Sequence, residues 1–338
     1  MFGRKHKSRS TNIVFVIFRL GLSLIMFALL LGGVYSAYKH FSGLDPLKLD
    51  PKAVVLSLLE GKAPKEVLGV LASFKVTQGK QEKISQQVIP EGEGTQSQSK
   101  PLFSFMLVAD SHNDSDNLRK AILQAKNTYP DIQFIIGLGD YTQVGTVTEL
   151  NAAKKEFDSL GLRYFLIPGD HDLWDSRDKG QDPGSNFREV FGPTFQSFIF
   201  SNFRFILLHN SDNYKGLSSE QLVWLDEELE KGQAEGQGLL VFLHEPLFHP
   251  SSEHIMGRVE KELKVQSRSL IFTLSAAKVK EVFAGDIHYF SQYEEPETNL
   301  SMNTIGSTSI ERNPQAPRFA VVWVFEDGSV GVEDIQIK

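Results

Sequence analysis

The segment Pro168-Gly169-Asp170-His171-Asp172 carries most of the information about this chain. It directly follows Tyr164-Phe165-Leu166-Ile167, an apolar run that predicts a buried strand. A strand that ends at a glycine beside several ionisable side chains is typical of α/β proteins, which bind ligands at the carboxyl edge of a sheet. The segment therefore predicts a ligand site at the end of this strand.

The same arrangement occurs at four further predicted strands. Apolar runs lead into Asp110-Ser111-His112 after 107–109, Gly139-Asp140 after 134–138, His244 after 239–243, and Gly285-Asp286-Ile287-His288 after 282–284. A single aspartate after a strand is more often a helix cap or a turn residue, and a single histidine there is more often structural. Five such strand ends together supply the oxygen and nitrogen ligands of divalent metals, so we predict a metal site.

Composition limits the classes of protein that fit this sequence. With 338 residues, 41% of them hydrophobic, the chain can form one large domain with a sizeable core. It contains no cysteine, which excludes disulfides, thiolate metal ligands and cysteine nucleophiles. The absence of a G-x-S-x-G motif argues against a serine hydrolase.

Charge is distributed unevenly along the chain. Residues 1–40 contain six lysines and arginines and no acidic residue, and the whole chain carries −7, so residues 41–338 carry −13. Proteins that bind nucleic acid usually present a basic surface to the phosphate backbone. The acidic portion therefore argues against nucleic acid as the main partner.

The N-terminal region predicts a membrane anchor. Residues 1–12 read as a basic cytoplasmic tail and residues 13–38 as a transmembrane helix, since the apolar run 20–38 is long enough to cross a bilayer. A cleaved signal peptide is the alternative, but its apolar core is usually shorter, and Tyr35 stands where a small residue is expected before cleavage. The basic tail predicts a cytoplasmic N-terminus, with the remaining chain outside the cytoplasm.

Three further regions follow the anchor. Residues 39–76 predict a short helical stalk, and residues 77–100, rich in Gln, Ser, Gly, Glu and Lys, predict a flexible linker. Residues 101–338 predict the folded domain, with βαβ units first and hairpins later, which indicates mixed sheets with helices outside. Within it, 173–196 reads as a turn-rich insertion and 267–277 as a helix.

The order of motifs resembles the calcineurin-like metallophosphoesterase family. Asp-x-His, Gly-Asp, Gly-x-His-Asp, His and Gly-x-x-His follow one another over about residues 101–310. This resemblance implies a four-layer αββα sandwich of two mixed sheets, here preceded by the predicted transmembrane helix. It also implies a two-metal centre at the strand ends between the sheets.

The resemblance assigns roles to individual residues. It implies that the first metal is held by Asp110, His112, Asp140 and His288, and that Asp140 bridges to a second metal held also by Asp170, His244 and Asp286. It implies that His171 faces the substrate phosphate or its leaving group as the catalytic residue. The alternative for His171 is a hydrogen-bonding role behind the metal ligands.

Three positions depart from the family pattern. Asp170 stands where the family usually has asparagine, Asp286 where it has histidine, and Gln143 where the phosphatase branch often has aspartate. Carboxylate ligands favour hard cations. We therefore expect two divalent metal ions, with Mn²⁺ or Mg²⁺ favoured and iron or zinc as the alternatives.

The sequence predicts a membrane-tethered enzyme that hydrolyses a phosphate ester by a metal-bound hydroxide at a two-metal centre. The two added aspartates support an alternative, a metal-binding family member with little or no turnover that serves as a binding or scaffold protein. The sequence names neither the substrate nor the oligomeric state.

Overall fold

A computed structural model describes residues 99–159 and 161–338. In this part of the chain, eleven strands form two mixed sheets. The first sheet has the order β11-β10-β1-β2-β3 and consists of β1 (Pro101–Val108), β2 (Ile132–Gly137), β3 (Arg163–Leu166), β10 (Arg318–Phe325) and β11 (Val330–Gln336). Strands β1, β2 and β3 are parallel, and β10 runs antiparallel to both of its neighbours.

The second sheet has the order β4-β5-β6-β7-β9-β8. It consists of β4 (Gln196–Phe200), β5 (Phe203–Leu207), β6 (Gly238–Phe242), β7 (Glu281–Ala284), β8 (Ser291–Glu294) and β9 (Ser301–Thr304). The four central strands are parallel, and the edge strands β4 and β8 are antiparallel to their neighbours. Because the parallel strands of both sheets end in loops rather than hairpins, their carboxyl ends are free to carry a site.

Helices cover the outer faces of the two sheets. They are α1 (Ser115–Thr128), α2 (Val147–Asp158), α3 (Trp174–Asp178), α4 (Ser185–Phe191), α5 (Ser219–Ala234) and α6 (Leu263–Ala276), with a 3₁₀ turn at His171–Leu173. Side-chain caps define where the longer helices begin. Thr146 and Glu149 form a capping box on α2, and Ser218 accepts a hydrogen bond from the Gln221 amide at the start of α5.

An aromatic core fills the space between the sheets. Phe205 lies 5.3 Å from both Phe105 and Phe134 of the opposite sheet and 5.9 Å from Phe242, measured between ring centroids. All four side chains are fully buried, and each such burial contributes roughly 1.5–3 kcal/mol to stability. Two further cores lie between each sheet and its helices, which gives four layers, helix, sheet, sheet and helix.

The predicted αββα arrangement of two mixed sheets is confirmed, but two local predictions were wrong. The segment 173–196 contains α3 and α4 instead of turns alone, because Phe187 anchors α4 in the core beside Tyr141. Helix α6 begins at Leu263 instead of residue 267, since Leu263 itself packs into the core.

The predicted tail, anchor, stalk and nearly all of the linker lie outside the described residues. Between residues 99 and 338, Leu160 apart, the helices are all too short or too polar to cross a bilayer.

A buried carboxylate makes the stability of this fold depend on pH. Burial raises the pKa of Glu281, on β7, to about 7, and Asn303 Nδ2 donates a 2.7 Å hydrogen bond to its carboxylate. A pKa raised on folding adds stability at low pH that is lost as the pH rises through the folded value.

Replacing Glu281 with glutamine should reduce this loss of stability, because glutamine keeps the acceptor oxygen without the charge. Between pH 5 and pH 8, the free energy of unfolding in urea should fall less for Glu281→Gln than for the wild type, by about 1–3 kcal/mol. The control is Glu326→Gln, at an exposed turn, which should keep the wild-type slope. Equal slopes for Glu281→Gln and the wild type would contradict the prediction.

Candidate metal centre

The strand ends identified in the sequence meet at one edge of the two sheets. Six of the seven predicted metal ligands fall into two groups, in each of which the ligand atoms lie within 4.8 Å of one another. The first group contains Asp110, His112, Asp140 and His288, and the second contains Asp140, Asp170 and His244. All six side chains are buried.

Asp140 belongs to both groups. Its Oδ2 lies 3.6 Å from His112 Nε2, and its Oδ1 lies 3.5 Å from His244 Nε2. A carboxylate can bind a cation with each of its two oxygens, so this geometry suits a bridging ligand between two ions.

Hydrogen bonds orient the histidines toward the centre. His244 Nδ1 bonds to the Leu138 carbonyl at 2.7 Å, and His288 Nδ1 bonds to the Arg312 carbonyl at 3.1 Å. A ring that donates from Nδ1 to a carbonyl leaves the lone pair of Nε2 free for a metal. Within the described part of the chain, His244 Nε2 is buried and has no hydrogen-bond partner.

The spacing of the ligand atoms fits a shared ion. His112 Nε2 and His288 Nε2 lie 3.2 Å apart. Two nitrogens that each lie about 2.1 Å from one metal can be separated by at most about 4.2 Å. One ion can therefore contact both rings.

The backbone is unusual at the ligands themselves. Five of them have positive φ angles, which are uncommon for residues other than glycine and cluster at functional sites. These are Asp110 (55°), His112 (43°), Asp140 (55°), Asp286 (63°) and His288 (64°). Each of these residues lies in a loop that directly follows a strand, β1, β2 or β7, so the unusual backbone occurs where the predicted ligands lie.

Two glycines allow the ligand loops to approach closely. A Cβ on Gly139 would collide with the backbone of Gly169, and a Cβ on Gly169 would collide with the Asp140 carboxylate. Asp172, fully buried, fixes the same loops by accepting hydrogen bonds from Gly169 N at 2.9 Å and Thr142 Oγ1 at 2.7 Å. Asp172 therefore supports the ligand loops.

Burial shifts the pKa values of the candidate ligands in directions that favour bound cations. It raises the pKa of the Asp110 and Asp140 carboxyls and lowers the pKa of His112 to about 3. Burial alone would also lower the pKa of His244, but the nearby Asp140 and Asp170 raise it well above its ordinary value. Divalent cations would supply the positive charge that these buried carboxylates lack, so the residues present fit a two-metal centre.

Comparison with known proteins places this fold and centre in a family. The model of the calcineurin-like phosphoesterases matches residues 103–297, more than half of the chain. This chain belongs to the calcineurin-like phosphoesterase family. The family predicted from the motifs is thus confirmed, and it agrees with the predicted class of metal-dependent phosphoric ester hydrolases.

Two curated relatives of this phosphoesterase are phosphodiesterases by name. A probable glycerophosphodiester phosphodiesterase of Arcobacter nitrofigilis is 30% identical over 143 residues, which cover 41% of this chain and 50% of the relative. A 3',5'-cyclic-nucleotide phosphodiesterase of Nostoc is 26% identical over 212 residues, 59% of this chain and 75% of the relative. This phosphoesterase thus matches only half the length of the Arcobacter protein.

A solved structure shares the fold. A dimetal phosphatase from Danio rerio superimposes with a TM-score of 0.53 at 20% identity, covering 71% of this chain and all of the phosphatase. At this identity the likeness supports the fold of the phosphoesterase and not its substrate.

Asp286 is the one predicted ligand that stands apart in this phosphoesterase. Its Oδ1 lies 4.0 Å from His244 Nε2, and it belongs to neither group of clustered ligands among the described residues. Its Oδ2 lies 3.7 Å from His254 Nδ1. An aspartate is shorter than the histidine usual in the family, so its role as a ligand stays a prediction.

His171 lies beside the first group of ligands. Its ring stacks on Trp174 with 3.8 Å between centroids, and Nδ1 bonds to the Gln143 carbonyl at 2.7 Å. Its Nε2 lies 3.3 Å from Arg312 Nη1. The backbone of Gln143 therefore partners His171, while the Gln143 side chain donates to the His112 carbonyl instead.

Three contributors to the centre were missed in the sequence. Asn213 Nδ2 donates to Asp170 Oδ2 at 2.8 Å, Asn210 Oδ1 accepts from the His244 amide at 3.0 Å, and Arg312 contacts His171. A signal for the asparagines was present, since β5 also ends in a polar run, residues 209–213. Arg312 gave no signal because its loop follows β9 without any ligand motif.

Two further histidines of the described residues, His209 and His249, lie outside both ligand groups. His249 Nε2 bonds to Ser291 Oγ at 2.9 Å, and burial lowers its pKa to about 4. His209 is half-buried, and burial lowers its pKa to about 4 as well.

Asp140 should be the least replaceable ligand, because it alone belongs to both groups. Asp140→Asn should lower metal affinity by more than about 100-fold, beyond the ~10–100-fold typical of residues behind the ligands. Metal content, by elemental analysis of the purified chain, should fall at both sites, whereas Asp286→Ala should lose at most one ion. His249→Ala is the control and should bind metal normally. Normal metal content in Asp140→Asn would exclude the bridging role.

Proposed function

We propose that this protein is a membrane-tethered, metal-dependent phosphoesterase that hydrolyses a phosphate ester at a two-metal centre. The observation that carries this proposal is the buried Asp140 carboxylate, which is shared by two groups of ligands. The centre opens into a cleft of about 770 Å³, large enough for a small phosphate ester.

In the proposed reaction, the metal ions would act on the phosphate and on water, and the protein positions the metal ligands. Two divalent cations bound at the centre would neutralise the phosphoryl oxygens and make water a stronger nucleophile at neutral pH. The protein positions its ligands through the Leu138 and Arg312 carbonyls, and Asn213 fixes the Asp170 carboxylate. This arrangement holds the ligands in place before substrate arrives, which lowers the cost of reaching the transition state.

His171 is the proposed catalytic residue. Its bond to the Gln143 carbonyl keeps a proton on Nδ1, and its Nε2 faces the cleft. A histidine in this position can hold a proton at Nε2 close to the leaving group. Stacking on Trp174 restricts the ring to this orientation.

The named relatives support a phosphate ester as the substrate, since both are phosphodiesterases by name. A measurement of phosphate-ester hydrolysis would distinguish this proposal from the alternative, a metal-binding protein without turnover.

Activity should depend on hard divalent cations, because carboxylates form much of the centre. After metal removal from the full-length protein, Mn²⁺ or Mg²⁺ should restore hydrolysis of p-nitrophenyl phosphate or its bis ester better than Zn²⁺ does. His171→Asn should retain metal and lose about 10²–10⁴-fold in kcat, the usual contribution of an acid or base. Full metal occupancy without turnover of a broad panel of esters would favour the scaffold alternative.

Membrane attachment and location are further parts of the proposal. Basic residues followed by the apolar run 13–38 support an anchor whose N-terminus is cytoplasmic and whose catalytic domain lies outside the cytoplasm.

This topology predicts that protease added to intact cells removes the domain. A tag at the C-terminus should disappear from the membrane fraction, whereas a tag before residue 4 should be protected. A tagged cytoplasmic protein serves as the control for cell integrity. A protected C-terminal tag would contradict the proposed orientation, and a mature N-terminus near Tyr38 would identify a cleaved signal peptide.

A further inference from the structure

Two arginines line the cleft that contains the candidate metal centre. Arg258 lies in the loop between β6 and α6, and Arg312 lies in the loop between β9 and β10. Both side chains are exposed, and within the described portion of the chain neither forms a salt bridge with a carboxylate. An arginine stays charged at all physiological pH values, so each adds a positive charge to the cleft.

Arg312 connects a predicted metal ligand with the predicted catalytic residue. Its carbonyl accepts the hydrogen bond from His288 Nδ1 at 3.1 Å, and its Nη1 lies 3.3 Å from His171 Nε2. Its φ angle of 54° is unusual for an arginine. The backbone thus turns sharply at the residue whose side chain faces the reacting groups.

The loop that carries Arg312 is fixed to the end of β1. Ser307 Oγ donates to the Asp110 carbonyl at 2.7 Å, and the Thr308 amide donates to the Ala109 carbonyl at 3.0 Å. Asn313 Nδ2 closes the loop by donating to the Ser309 carbonyl at 2.8 Å. The loop backbone that carries the Arg312 guanidinium is therefore held in place by hydrogen bonds, as a substrate-positioning group requires.

The charge of the centre explains what the arginines can contribute. Four of the seven predicted metal ligands are carboxylates, and together they would formally balance the charge of two divalent cations: Asp110, Asp140, Asp170 and Asp286. A neutral centre attracts an anionic substrate weakly. Arg258 and Arg312, which line the cleft, would add positive charge to that of the cations, and this added charge favours a dianion over a monoanion.

We propose that Arg312 is a substrate-binding residue that donates hydrogen bonds to the phosphoryl oxygens, and that together with Arg258 it selects dianionic phosphomonoesters over monoanionic diesters. This inference rests on the proposed phosphoesterase function. When substrate binds, the Arg312 guanidinium leaves His171 Nε2 and donates to the phosphoryl oxygens instead. His171 Nε2 is then free to face the leaving group.

The test compares variants of the full-length protein loaded with Mn²⁺. The variants are Arg312→Ala, Arg312→Lys and Arg258→Ala. The control is Arg268→Ala, since Arg268 lies on α6, outside the cleft, and pairs with Glu297. Three quantities are measured, namely kcat and KM for p-nitrophenyl phosphate and for its bis ester, the affinity for inorganic phosphate by calorimetry, and metal content.

The wild type should have the higher kcat/KM for the monoester. Arg312→Ala should lose about 10–100-fold in phosphate affinity and in kcat/KM for the monoester, the value of one or two charge-assisted hydrogen bonds, and clearly less for the diester. Arg258→Ala should change the same ratio in the same direction, and the control should match the wild type. Arg312→Lys keeps the charge without the forked donors, so it should retain metal and lie between the wild type and alanine.

Three results would overturn the inference. These are unchanged phosphate affinity in both Arg312 variants, equal losses for the two esters, or a wild type that prefers the diester. If the wild type hydrolyses neither these two esters nor any of a broad panel of phosphate esters, the proposed function fails, and phosphate affinity then decides the role of Arg312 alone. A metal-loaded wild type that binds no phosphate also refutes the role of Arg312.

Discussion

The buried carboxylate of Asp140 is the constraint on which the site depends. Its two oxygens face opposite groups of ligands, at 3.6 Å from His112 and 3.5 Å from His244. A carboxylate held away from water is costly unless positive charge compensates it. The loops around it must approach so closely that only glycine fits at 139 and 169. Charge at Asp140 therefore favours bound cations, and the close approach of the loops requires glycine at these two positions.

Strained ligand loops require a rigid support. Five predicted ligands have positive φ angles, and such conformations persist only where the surrounding structure holds them. The support is the aromatic core between the two sheets, in which Phe105, Phe134 and Phe205 pack face to edge or stacked. Because the ligands follow strands on both sides of this core, its packing fixes the distance between the two halves of the centre.

Much of the fold could be predicted from the sequence because its signals are local. Apolar runs that lead into glycine, aspartate or histidine marked β1, β2, β3, β6 and β7. The segment 173–196 was misread because its turn residues are dense, while Phe187, which anchors α4 in the core, is inconspicuous in the sequence. Whether such a segment forms helices depends on a distant contact with Tyr141, which local patterns do not contain.

By itself the sequence determined the family, the two sheets and the identity of the candidate ligands, because motif order and strand ends are properties of the chain. Only the tertiary structure decided how those residues meet. It places Asp140 between both groups, leaves Asp286 apart, and brings Arg312 to His171 across 141 positions of sequence. Such contacts between distant segments depend on sheet order and loop geometry, which no local pattern encodes.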